Sequence, residues 1–114
     1  MKVINASKNN IIVNEVRVAN TFWQRLVGLL RHKELKENEG LIIKPCQIVH
    51  TFFMSFTIDL VFIDGHGQVL ELIENLKPNR ISPFVVESEQ VIELASGVIQ
   101  TKGIELEDEI LIKN

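Results

Sequence analysis

One cysteine among 114 residues leaves no disulfide to form within the chain, so the fold must hold by its own core, and nothing in it requires an oxidising compartment. A basic run is missing as well: twelve Lys and Arg are scattered against fifteen Asp and Glu, for a formal net charge of -3. That balance disfavours a surface that tracks phosphates, and no nucleic-acid partner is expected. No stretch reaches the roughly 18 apolar residues of a membrane span, and the opening MKVINASKNN has an early lysine with no apolar segment behind it. A cytoplasmic protein without a membrane span is the expectation. No segment repeats and none is of low complexity. What is present is 46% hydrophobic and 24% charged, enough apolar material for a single domain over residues 1–114.

KVINA and IIVNEVRVA are rich in β-branched residues and separated by the polar SKNN, which predicts two short strands in a hairpin. Val16 and Val18 alternate with Glu15 and Arg17, giving the second strand one solvated face. From Asn20 the period changes. Thr21 with Gln24 matches a capping box, and Phe22, Leu26, Leu29 and Leu30 recur at helical spacing, predicting a helix of about ten residues. Gly28 inside it marks either a close approach of another backbone or simple tolerance.

GLIIK reads as a strand that Pro45 terminates or sends to a sheet edge. QIVHTFF is β-rich, and DLVFID lacks alternation, which predicts a strand buried on both faces. In DGHGQ, Asp64 is placed to bond the backbone ahead of it, and Gly65 and Gly67 to take positive φ. QVLELIENL, EQVIELA and DEILIK supply further strands. Pro78 and Pro83 bracket an irregular crossing, and SGVIQTKG forms a short helix or a loop ending at Gly103. The sum is a mainly β chain with one or two short helices: seven or eight strands around one core, as a β-sandwich or partly open barrel.

Cys46 lies four residues before His50, and thiolate with imidazole is a zinc-binding combination. On an extended strand, four steps of about 3.3 Å put their Cα atoms roughly 13 Å apart, too far for a shared metal or a Cys–His nucleophilic pair. No metal and no other cofactor is expected. Cys46 then reads as a small buried hydrophobe, and His50, sharing parity with Ile48 and Phe52, as a partly buried histidine bonded to backbone or a carboxylate. Phe52 and Met54, with Phe53, Phe56 and Cys46 nearby, either line an apolar pocket or belong to the core. His66, in its GHG turn, and His32, among helix-end charges, have no partner legible in the sequence.

Arg25, Asp59 and Glu93 each sit within apolar sequence, in QRLVGL, TIDLVF and VIELAS. Buried there, they need partners. They form either a structural ion pair, Arg25 with Asp59 or Glu93, or a polar pocket that grips a ligand.

QRLVGLLRHKEL, GLIIKPCQIVHTFFMSFTIDLVFIDGHGQV and VIELASGVIQTKGIELEDEI together resemble the domain of unknown function 192, found in bacteria and archaea, from about Thr21 to Ile112. The pattern carries over onto Arg25, Gly28, Leu29, Gly40, Pro45, Cys46, His50, Thr51, Phe52, Met54, Asp59, Asp64, Glu93, Leu94, Gly97 and Gly103. The resemblance implies a small β-rich fold and no established activity. Ser55, Thr57 and Glu107 depart from the pattern, where a basic residue, a proline and a glycine are usual, which weakens any case for an anion pocket.

Three functions compete. A non-catalytic binding or accessory module, with an unknown small ligand or protein as partner, follows from the lack of any nucleophile–base or metal constellation at workable spacing. An enzyme requires His50, Asp59, Glu93 and Arg25 to meet in one pocket. A protein-interaction module adds a partner strand to an exposed sheet edge, with GLIIK as the edge.

Overall fold

A six-residue segment, Ile58–Ile63, apolar except for one carboxylate, is buried along its whole length in the computed structural model, which describes residues 1–19, 34–52 and 54–114. Such a strand must be covered on both faces, and the rest of the chain supplies the covers. Among the described residues the strands are β1 (Lys2–Asn5), β2 (Asn10–Val13), β3 (Glu15–Ala19), β4 (Glu39–Ile43), β5 (Ile58–Ile63), β6 (Val69–Leu76), β7 (Gln90–Ala95) and β8 (Ile110–Lys113). One short helix, α1 (Val98–Lys102), stands between β7 and β8.

Five strands form one sheet in the order β3-β4-β7-β5-β6, and three form a second in the order β2-β1-β8. Neighbours are antiparallel except β3 and β4. A parallel pair needs a crossover of a dozen or more residues, and Ala19 at the end of β3 is separated from Glu39 at the start of β4 by enough sequence for one. The helix expected from Thr21, with Arg25, Gly28 and His32, lies outside the described residues, as does Phe53.

The sheets pack face to face. Val3, Ile12, Val13 and Ile110 of the small sheet meet Ile42, Val61, Ile92 and Leu94 of the large one. On the other face of the large sheet, Leu41, Ile43, Leu60, Phe62 and Val91 form a second core under Leu35, Cys46, Val49 and Met54. The expected sandwich forms, and no barrel closes among the described residues. The expected single core is in fact two, because β4, β5 and β7 carry apolar side chains at both parities. No described helix is long and apolar enough to cross a membrane.

Three local expectations change. IIVNEVRVA does not run as one strand: Asn14 ends β2, and β3 begins in the other sheet. Neither parity of a continuous strand would be apolar throughout, since one reads Ile11, Val13, Glu15, Arg17 and the other Ile12, Asn14, Val16, Val18. QIVHTFF joins neither sheet, and its described part runs beside residues 80–85 with one isolated bridge, His50 to Ile81. Pro83, lacking an N–H, cannot donate to a ladder there. GLIIK is no edge, because β4 is hydrogen-bonded to β3 on one side and β7 on the other. Pro45 simply follows the end of the strand.

The DGHGQ turn forms as expected. Asp64 Oδ1 accepts the N–H groups of His66 and Gln68, each at 2.9 Å, and the Gln68 bond foremost holds its carboxyl below the usual value, against the opposing pull of burial. Gly67 takes φ 85° and Gly65 does not take a positive φ. A Cβ on Gly67 would stand 2.4 Å from the Ile110 carbonyl oxygen, so glycine alone lets this turn dock on β8. Glu107, at φ 72°, occupies the left-handed region where glycine is favoured. Its departure from the family pattern is therefore felt by the backbone.

Asp108, buried, ties the first hairpin to the approach of β8. It accepts from Asn5 Nδ2 at 2.8 Å, the Glu105 N–H at 2.9 Å and Lys8 Nζ at 2.9 Å. Burial alone pushes this carboxyl up, but the Asn5 amide, the Glu105 N–H and Lys8 together outweigh it and hold the group below its ordinary 3.8. The unfolded chain then binds this proton at higher pH than the folded one, so the stabilisation is complete above the ordinary value and vanishes as pH falls through the folded one. Denaturant midpoints are expected to drop between about pH 5 and pH 2, and Asp108→Asn should flatten that decline. An equally steep decline in the variant would assign it to other carboxylates.

Candidate functional site

Alternation along residues 48–52 divides the segment between core and surface, after a buried Cys46 that stands outside it. Cys46, Val49 and Thr51 are buried, whereas Ile48, His50 and Phe52 face outward. Thr51 anchors the segment: its hydroxyl donates to the Lys77 carbonyl at 2.6 Å and accepts the Arg80 N–H at 2.9 Å. Its backbone N–H reaches the Arg80 carbonyl at 2.8 Å, and its carbonyl receives the Asn79 N–H at 3.0 Å. Further along, Ser82 N–H donates to the Val49 carbonyl and Val85 N–H to that of Gln47, both at 2.8 Å. The buried Ser82 hydroxyl accepts the Val49 N–H at 2.9 Å and donates to the Pro83 carbonyl at 3.0 Å.

This frame holds out a row of large apolar side chains. Ile81 is 58% exposed, Phe84 61% and Val86 69%, and they stand beside the outward Ile48 and Phe52. The His50 and Phe52 rings stack with centroids 5.0 Å apart and planes at 27°. A cleft of about 430 Å³, lined by Pro45, Gln47, Ile48, Phe84 and Ser88 among others, borders the row. Single exposed apolar residues are ordinary, but five on two adjoining segments form a patch of the kind that marks an interaction site.

The polar residues singled out in the sequence do not gather. Asp59, fully buried, sits opposite Leu94 and faces the core between the sheets, whereas Glu93, opposite Leu41 and Leu60, faces the second core. Adjacent positions along a strand point to opposite faces, so the two carboxylates are separated by the sheet itself. Asp59 accepts the N–H groups of Asn75 at 2.9 Å and of Gly97 and Ile99 at 3.0 Å. It thereby caps α1, where Gly97, in the left-handed region at φ 95°, has no side chain to do so. His50 is exposed rather than partly buried, because the parity it shares with Ile48 and Phe52 turned out to be the outward one. Arg25 lies outside the described residues.

The candidate apolar lining divides in the same way. Cys46 and Met54 belong to the second core, with the Cys46 thiol donating to the Ile48 carbonyl at 3.2 Å, while Phe52 lies on the surface. Among the described residues no three of His, Cys, Asp and Glu come together as a metal-holding group. Sequence reasoning missed Ile81, Phe84 and Val86. The available signal was RISPFVV, apolar residues beside a proline with no period that would bury them.

The model of the family DUF192, described as "Uncharacterized ACR", matches residues 3–112. A UPF0127 protein of Pyrococcus horikoshii is 31% identical over 111 residues, covering 95% of this chain and 96% of its own. Among solved structures, a protein of unknown function from Novosphingobium aromaticivorans matches with a TM-score of 0.82 at 21% identity, over 97% of this chain and 82% of that one. A suggested transcription regulator from Sinorhizobium meliloti matches with a TM-score of 0.80 at 22% identity, over 96% of this chain and 89% of that one. At such identities the two structures share the fold, and the likeness extends no further.

Proposed function

Because this chain belongs to the DUF192 family, whose relatives here are uncharacterised, we propose from its own surface that it is a small, single-domain, non-catalytic binding or accessory module. Its contact surface is the apolar face of residues 48–52 and 81–86. The observation that carries this reading is the row of Ile81, Phe84 and Val86, held outward by a hydrogen-bonded frame. Leaving such area in water forgoes about 25 cal/mol per Å², which a partner recovers on binding. The partner is a protein or an apolar small ligand; the net charge of -3 argues against nucleic acid. A cytoplasmic place of action fits a chain with no internal disulfide to keep oxidised.

The enzyme reading has less support, since Asp59 and Glu93 face different cores and Asp59 is occupied with three backbone donors. Strand addition at GLIIK has none, since both sides of β4 are paired.

A fluorescent dye that brightens on apolar surfaces, added to protein dilute enough to leave its faces uncovered, tests the proposal. Phe84→Ser is expected to remove most of the enhancement while stability moves by no more than about 0.5 kcal/mol, the usual range for a surface change. Undiminished dye binding in that variant would remove the patch from consideration.

A further inference from the structure

We propose that the occupant of this apolar face is a second copy of the chain, paired about a two-fold axis with residues 80–87 antiparallel to their counterparts. The inference rests on the reading of the face as a contact surface, and the charges at its ends specify the partner. Arg80 stands at one end of the row and Glu87 at the other, with Glu89 just beyond, and all three are exposed. Between them the exposed side chains are those of Ile81, Pro83, Phe84 and Val86, all apolar. A complementary surface must carry an acid, an apolar stretch and a base in the reverse order. The same segment turned through a two-fold axis does so, setting Arg80 of each copy against Glu87 of the other. Two-fold pairs are also the commonest closed assembly, and their contact is necessarily a patch that complements itself.

The area suffices. With full side-chain areas on the order of 200 Å², the exposures of Ile48, Phe52, Ile81, Phe84 and Val86 leave on the order of 500 Å² per copy, so about 1,000 Å² in the pair, the lower bound for a specific interface. A bilayer surface fits less well. Glu87 and Glu89 at the rim, and a net charge of -3, would be repelled by anionic headgroups.

Sedimentation equilibrium over a concentration series tests the pairing. The wild-type chain is expected to dimerise and Phe84→Glu to remain monomeric with the circular dichroism of the wild-type fold. Arg80→Glu and Glu87→Arg should each raise the dimer dissociation constant by about tenfold, since each sets like charges together twice across the axis, and the double exchange should restore it. A wild-type chain that stays monomeric up to about 1 mM, or a double exchange that rescues nothing, overturns the pairing. If the chain is monomeric and Phe84→Ser still abolishes dye binding, self-association fails while the contact surface stands. If the dye is indifferent to Phe84→Ser as well, both fail. Flotation with phosphatidylcholine–phosphatidylglycerol vesicles, lost in Phe84→Glu, would overturn the pairing by giving the face to a membrane.

Discussion

Asp59→Ala is expected to destabilise the protein by about 3–5 kcal/mol, because it strands backbone donors that water reaches only in part. The N–H groups of Asn75, near the end of β6, and of Gly97 and Ile99, at the start of α1, converge on one carboxylate. Each buried donor left without a partner costs about 1–3 kcal/mol. The Asn75 and Gly97 groups are only partly buried and recover some hydration, which keeps the total near the low end of the sum. Asp59→Asn should cost less, since its remaining oxygen still serves Gly97 and Ile99 while its amide turns a donor toward the Asn75 N–H. Urea unfolding of both variants decides it, and a loss below about 1 kcal/mol for the alanine variant would mean that the start of α1 is held by other contacts.

Phe62→Ala is expected to cost about 3–5 kcal/mol. The ring is fully buried in the second core, and its backbone pairs with Val91 on one side and Glu71 on the other. The neighbouring strands cannot close over the space that truncation leaves, since their spacing is fixed by hydrogen bonds. The cover of that core, partly formed by the irregular segments carrying Cys46, Val49 and Met54, is free to settle inward and recover part of the loss. A urea midpoint that shifts with an unchanged slope would report lost stability alone. A midpoint within error of the wild type would place Phe62 outside the core.

Legibility in the sequence followed the strength of the local pattern. The unbroken DLVFID run announced a strand buried on both faces, and β5 is buried at all six positions. The Asp64 turn was equally plain, because a carboxylate bonding the backbone two and four residues ahead is a local event. The corner at Asn14 was missed because β-branched residues persist on either side of it, and which sheet each half joins depends on β1 and β4, distant in the chain. The pairing of residues 46–52 with residues 80–85 was hidden for a related reason. It is held by Thr51 and Ser82 hydroxyls that bond across about thirty residues, and single-strand parity has no access to that.

Asp59 shows most clearly where composition misleads about a site. A carboxylate amid apolar residues suggested that it needed a cation or a ligand. Backbone N–H groups are also donors, and the sequence does not reveal when a strand end and a helix start will aim three of them at one point. His50 was misplaced by the opposite route: its parity with Ile48 and Phe52 was right, and only the choice between inward and outward was not local information.

The position of β1 between β2 and β8 has a consequence for the order in which the molecule assembles. One neighbour follows after a four-residue turn, while the other, pairing Asn5 with Ile110 and Lys2 with Lys113, is synthesised after the seven other described strands. Closing a loop on the order of 100 residues costs about 4 kcal/mol of chain entropy, by the (3/2)RT ln n relation. On a ribosome, β1 and β2 emerge well before β8, and one side of β1 stays open until β8 appears. Contacts so distant in sequence are those that slow folding most, so β8 is expected to gain amide-exchange protection later than β2 on refolding, and simultaneous protection of the two would refute that order.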